Sequence, residues 1–216
     1  MRKLIYIAFI VVLVSCNSEN AGDCFQTTGL IIQEEITLST FDKILVNRDV
    51  ELIIKEGAEQ KVVIETGKNL LNDVEAVVTD GKLILSDNNN CNYVRDYGIT
   101  KIYVTSPNIT EIRSSTQYDI SSDGVLTYPS LTILSEDYNA TGSFSVGNFR
   151  LQIDNTSFNV VFNNLSNCYI SGITNHLNIT FASGDSRFEG RNVIAQKVTI
   201  WNRSSNDMFV NPVQEI

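Results

Sequence analysis

Apolar and polar residues alternate along this chain in short runs of period two, and almost nowhere with the period of 3.6 that an amphipathic helix needs. Phe41-x-x-Ile44-x-Val46 leads into Val50-Glu51-Leu52-Ile53-Ile54-Lys55, Glu56-Gly57 turns the chain, and Lys61-Val62-Val63-Ile64-Glu65-Thr66 follows up to Gly67. Runs of this kind, bounded by turn residues, predict strands. Asp80-Gly81 joins residues 75–79 to Lys82-Leu83-Ile84-Leu85 and predicts a two-residue hairpin, because both positions tolerate positive φ. One helical turn is expected within residues 69–75, where Asn69-Leu70-Leu71-Asn72-Asp73 brings cap-like side chains. Residues 99–105 make a further strand, stopped by Pro107.

From about Ile109 the pattern becomes repetitive. Each unit is an apolar-x-apolar triplet, a Ser/Asn-rich corner and a second apolar pair. Leu131-Thr132-Ile133 precedes Ser135-Glu136-Asp137 and Phe144-Ser145-Val146; Leu151-Gln152-Ile153 precedes Asp154-Asn155-Thr156-Ser157 and Phe158-Asn159-Val160. Leu177-Asn178-Ile179 and Val198-Thr199-Ile200 open two further units, and Ile112, Ile133, Ile153, Ile179 and Ile200 recur every 20 to 26 residues. A period in the twenties built from short strands and polar corners predicts an all-β, single-domain β-solenoid of short stacked strands. One rung exposes an apolar face that it cannot bury alone, whereas stacked rungs share a core and pair their backbones. A β-sandwich also has short strands at regular spacing, but repetition of the whole unit favours the solenoid.

The N-terminus carries a different pattern. Arg2 and Lys3 precede an apolar run from Leu4 to Val14, and Ser15 then precedes Cys16. That run is shorter than the roughly twenty residues a bilayer-spanning helix needs, so it reads as the core of a signal peptide. Leu13-Val14-Ser15-Cys16 resembles a bacterial lipobox, in which the thiol is diacylated and the chain is cut just before it. The expected organisation is a signal peptide over 1–15, a lipidated N-terminus with linker and first strand over 16–40, a β-solenoid domain over 41–212 and a tail over 213–216. The mature chain is expected to be exported and held on the cell envelope by lipid, most simply at the outer membrane, on its periplasmic or surface side.

Charge narrows the partners. The formal net charge of −9 becomes −11 once Arg2 and Lys3 leave with the signal peptide. Such a surface repels nucleic acid and anionic headgroups, whose binding needs clustered Lys and Arg. The lipid is therefore the expected membrane attachment. With Cys16 acylated, Cys24, Cys91 and Cys168 remain. Cys24 and Cys91 lie in polar, turn-like stretches and are expected to form a disulfide; Cys168 lies in an alternating run and is expected to pack as a small buried hydrophobe.

The order of motifs, from Phe41-Asp42-Lys43-Ile44-Leu45-Val46 through Val62-Val63-Ile64-Glu65-Thr66-Gly67-Lys68-Asn69-Leu70-Leu71, Asp80-Gly81-Lys82-Leu83-Ile84-Leu85 and Ile102-Tyr103-Val104 into the repeats, resembles the auto-transporter adhesin head (GIN domain) family of Bacteroidetes envelope proteins. The resemblance covers residues 41 to about 210. It implies a right-handed β-solenoid with no known catalytic residues. Two departures stand out: most corners here are Asn/Ser/Asp instead of Gly-Ser-Gly, and the last rung is short. A short last rung leaves an exposed edge, to be covered by residues 213–216 or by a partner.

Candidate chemistry is sparse. His176 has no supporting partners at triad or zinc spacing and is expected to be a solvated corner residue. Asp87-Asn88-Asn89-Asn90 and Asp119 with Asp123 lack the spacing of an EF-hand. Glu136-Asp137 with Arg113 or Asp154 is the one arrangement a glycan-active enzyme of β-helix type would use, through paired carboxylates on neighbouring rungs. No cofactor or metal site is indicated, and the oligomeric state is left open. The candidate binding surface is Tyr93, Arg95 and Tyr97, with Tyr138 and Trp201 as further exposed aromatics. These observations predict a non-enzymatic, lipid-anchored envelope protein that offers a polar face to a protein or glycan, the alternatives being a glycan-active enzyme or a structural envelope lipoprotein.

Overall fold

In a computed structural model of the chain, residues 23–89, 91–138 and 144–215 are described. The expected signal peptide over 1–15 and the lipid attachment at Cys16 lie outside the described residues. The strands are β1 (Ile31–Ile36), β2 (Lys43–Val46), β3 (Glu51–Glu56), β4 (Lys61–Gly67), β5 (Val74–Thr79), β6 (Lys82–Asp87), β7 (Lys101–Ser106), β8 (Glu111–Ser114), β9 (Ile120–Leu126), β10 (Ser130–Ser135), β11 (Phe149–Phe162), β12 (Cys168–Phe181), β13 (Phe188–Asn202) and β14 (Met208–Glu215). Among the described residues the helical segments are two single 3-10 turns, Asp23–Phe25 and Leu71–Asp73, the second where the sequence predicts one helical turn. Asp80 and Gly81, at φ of 50° and 73°, make the β5–β6 hairpin turn.

The 14 strands of the described residues belong to one sheet that wraps nearly closed around a core. The wrapping is clearest in β11. Phe149 and Phe162 stand at its two ends, yet their ring centroids are 5.4 Å apart. A straight strand would hold them roughly 43 Å apart at 3.3 Å per residue. Buried positions explain the bend: 149, 151, 153 and 155 face inward, Thr156 and Ser157 both face outward, and 158, 160 and 162 face inward again. Two consecutive outward residues reverse the inward parity and fold the strand around the core. The expected corner at Asp154–Ser157 is therefore real, but ladder pairing continues on both sides of it. This corrects the expectation of short strands: β11, β12 and β13 are 14, 14 and 15 residues long, each serving two faces.

One half of β11 pairs with β9 and the other with β10, and β12, β13 and β14 stack on it in parallel. Inward side chains form columns through the stack. Leu83, Ile44, Ile112, Ile133, Val160, Ile179 and Ile200 are successive register partners on one face. Ile153, which the sequence spacing groups with these isoleucines, faces Leu126 and Gly172 on the other face, and Val160 holds its expected place. The second face stacks Ile64, Ile102, Leu52, Ile120, Phe149, Cys168, Phe188 and Met208. Cys168 is fully buried in that column, and burial pushes its thiol pKa well above the ordinary value, so it stays a neutral hydrophobe.

The two ends of the stack differ. At the first, antiparallel strands close the edges: β1 on β4, β4 on β7, and β5 on β6. At the second, β14 covers β13 only along residues 188–197. Residues 213–215, expected as a tail, extend β14, because the chain continues pairing with β13 as far as Lys197 opposite Glu215. Rung spacing is tight at Gly172, whose φ is +116° and where a Cβ would sit 1.9 Å from the Ile153 carbonyl oxygen of the next rung. Gly172→Ala is expected to destabilise the fold by about 1–3 kcal/mol in urea denaturation, since the backbone of β11 would have to move. An unchanged midpoint would contradict that packing.

Candidate functional site

The sequence-predicted surface centres on the β6–β7 loop. Cys24 and Cys91 are joined by a disulfide, and the Tyr93 amide donates to the Cys24 carbonyl at 2.9 Å, so the loop and the N-terminal segment are tied together. The Arg95 guanidinium is turned onto the backbone. Its Nη1 donates to the Gln26 carbonyl at 3.2 Å, and its Nη2 to the carbonyls of Asn89 at 3.2 Å and Cys91 at 2.9 Å. The guanidinium thus satisfies backbone acceptors of a loop that has no strand to do so. A cavity of about 90 Å³ lies beside it, lined by Asp49, Asp87, Asn92, Tyr97 and Thr100 among others. Asp87 is engaged by Thr100 Oγ1 at 2.5 Å and by the Asn89 side chain at 2.7 Å. Burial, and then the charge of Asp49, raise the pKa of the neighbouring Tyr118.

The five predicted residues do not form one surface. Tyr93 and Tyr97 project from the loop after β6, whereas Trp201 sits on β13, six strand steps along the sheet from β6. At ~4.8 Å per step that is roughly 29 Å. Tyr138 lies just past β10, its amide donating to Glu136 Oε2 at 2.7 Å. The carboxylates considered for catalysis are held by structural bonds: buried Glu136 pairs with Arg113, and Asp137 accepts from the side chains of Asn163 at 2.6 Å and Asn164 at 3.1 Å. His176 is exposed within β12, between Ser157 and Lys197. Among the described residues, no three His, Cys, Asp or Glu side chains converge as a metal site would require.

Polar ladders run along outward strand positions and corners, and they bind rung to rung. The Asn178 side chain donates to Asn159 Oδ1 at 2.8 Å, Ser204 Oγ to the Ser186 carbonyl at 2.6 Å and Ser183 Oγ to the Asn163 carbonyl at 2.8 Å. Asn167 receives the Arg187 amide at 3.2 Å and itself donates to Asn148 at 3.1 Å. Ser183, Ser204 and Asn167 thereby satisfy backbone groups at the corners that the ladder leaves open.

Sequence reasoning missed another arrangement. The first outward position of each rung on the second face aligns Ser121, Arg150, Tyr169, Glu189 and Phe209 in one column. The Arg150 guanidinium lies 4.3 Å from the Tyr169 ring centroid, while its Nε donates to Asp119 Oδ2 at 2.6 Å. Farther along, Arg191 and Arg187 lie 3.4 Å and 4.8 Å from the Phe209 centroid and both pair with Glu189. Beside Arg150 a shallow groove of about 290 Å³ is lined by Ser121, Ser122, Gln152, Tyr169 and Ser171. The signal was present in the sequence: in Phe149-Arg150, Cys168-Tyr169, Phe188-Glu189 and Met208-Phe209 a core residue precedes an outward one at intervals of 19 to 20.

A family profile described as "Putative auto-transporter adhesin, head GIN domain" matches residues 40–216. The chain belongs to this family. Solved structures share its fold. The GIN domain here is similar to a putative adhesin from Bacteroides fragilis, with a TM-score of 0.66 at 20% identity over 80% of this chain and 76% of the other. A putative lipid binding protein from Parabacteroides distasonis gives a TM-score of 0.51 at 14% identity, over 79% and 77%. A putative adhesin from the same species gives 0.50 at 15% identity, over 80% of each chain. No curated protein matches this sequence. Among the described residues no helix is long and apolar enough to cross a membrane.

Proposed function

We propose that this GIN domain is the head of a non-enzymatic envelope lipoprotein, anchored at the outer membrane through Cys16, that binds a carboxylate-bearing glycan in the groove around Arg150 and Tyr169. The rungs coil as a right-handed solenoid, the hand that parallel crossovers adopt. The lipobox supports the anchor, and the adhesin family supports a ligand-binding role. One observation carries the ligand class: Arg150 is held by Asp119 through Nε and laid on Tyr169, which leaves its two terminal amino groups without a protein partner among the described residues. A planar fork held in this way matches a carboxylate bidentately. Ser121, Ser122, Gln152 and Ser171 add hydroxyl and amide groups suited to sugar hydroxyls.

Titration calorimetry with uronic-acid oligosaccharides tests the assignment. Removing a charge-assisted contact worth about 1.5–3 kcal/mol should weaken binding roughly 10- to 100-fold in Arg150→Ala. The Tyr169→Ala protein should lose affinity as well, because its Arg150 keeps Asp119 but loses the ring it lies on. Equal affinity of Arg150→Ala and the unaltered protein would overturn the groove as the site, and binding to a protein from the same envelope but to no acidic glycan would overturn the ligand class.

A further inference from the structure

Four apolar side chains stand out from the disulfide-tied loop and the segment it grips. Phe25, Tyr93, Val94 and Tyr97 are 57%, 74%, 52% and 77% exposed, and the Phe25 and Tyr93 rings lie 5.7 Å apart. Soluble proteins seldom cluster such groups on a loop tip unless something covers them. The disulfide joins Cys24, one residue before Phe25, to Cys91, two residues before Tyr93, so the cluster sits where the described chain begins. The stretch from Cys16 to Cys24 reaches at most about 28 Å.

We propose that Phe25, Tyr93, Val94 and Tyr97 form a membrane-contacting tip that rests in the interfacial layer of the bilayer holding the Cys16 lipid. The inference rests on the lipid anchor but not on the glycan groove. A lipid surface fits this cluster better than a charged partner does. The Arg95 guanidinium is bonded to three backbone carbonyls, no lysine occurs between Lys82 and Lys101, and exposed Asp96 adds a negative charge. The loop thus brings no lysine to anionic lipid, and apolar burial with tyrosine hydroxyls at headgroup level is the driving force at the tip. Asp96 limits the depth, so the tip lies at the boundary of headgroups and acyl chains. The tip fixes the orientation of the head: the first end of the stack faces the membrane and β13 and β14 face away.

The test uses the lipidated protein reconstituted into phosphatidylcholine vesicles with and without brominated acyl chains. In the Tyr97→Trp protein carrying Trp201→Phe, tryptophan emission should shift to the blue and be quenched about twofold by bromolipid, as expected for a group a few ångströms into the interface. Native Trp201, at the opposite end of the stack, should be unquenched in the same vesicles. Flotation with the vesicles but no quenching of the Tyr97→Trp protein would overturn the contact alone. Failure to float would overturn the anchor and the contact with it.

Discussion

Phe162→Ala is expected to lower the unfolding free energy by about 3–5 kcal/mol, the usual cost of deleting a buried aromatic ring. Phe162 is fully buried and stacks on both sides, 5.4 Å from Phe149 and 5.4 Å from Phe181. It therefore joins the two faces of β11 to each other and to the next rung. Its loss leaves a cavity that the rungs cannot collapse to fill, because ladder hydrogen bonds fix their spacing. Urea denaturation should show a lower midpoint with an unchanged slope. A cost near that of an exposed substitution would mean that β11 does not wrap the core as described.

Removing the disulfide is expected to have an effect of similar size. Cys24 and Cys91 are 67 residues apart in sequence, and closing a loop of that length stabilises the folded state by about 4 kcal/mol in the chain-entropy model. The loss should also be local. Arg95 is positioned by the carbonyls of Gln26, Asn89 and Cys91, so its staple loosens when the bridge is cut. A Cys24→Ser, Cys91→Ser protein should therefore melt at lower temperature and expose residues 91–98 to rapid amide exchange, while β11 to β13 stay protected. Equal midpoints for the oxidised protein and this variant would contradict the stabilising role.

Much of this fold was legible because each strand had a simple physical signature. Asp80-Gly81, the alternation from Phe41 to Thr66 and the Ile112, Ile133, Ile179 and Ile200 column follow from turn chemistry and period-two burial. Ile153 was misplaced because each face of β11 carries an apolar-x-apolar triplet, Leu151-Gln152-Ile153 on one and Phe158-Asn159-Val160 on the other, and only the register shows that Val160 continues the column. The wrapping of β11 was hidden for a related reason: a corner made by two outward residues looks in sequence like a break between strands. The candidate site was harder to read. The loop-holding bonds of Arg95 were hidden because its acceptors are backbone carbonyls, which carry no sequence signature. Arg150 and Tyr169 looked unrelated because they are 19 residues apart, and only parallel stacking makes them neighbours.

The groove and the disulfide-tied tip lie on different parts of the stack. The disulfide-tied tip belongs to the first end of the stack, whereas the column from Arg150 to Phe209 climbs toward the second. A head held by its first end would present that column to whatever lies beyond the membrane surface. The amides and hydroxyls of the polar ladders already bond between rungs.

Hydrogen–deuterium exchange of the protein with and without a saturating uronic-acid oligosaccharide tests the assignment of the groove most directly. Slower exchange confined to residues 119–122, 150–152 and 169–171 is expected. Slower exchange at residues 91–98 or along the corner ladders, with 150–152 and 169–171 unchanged, would contradict it.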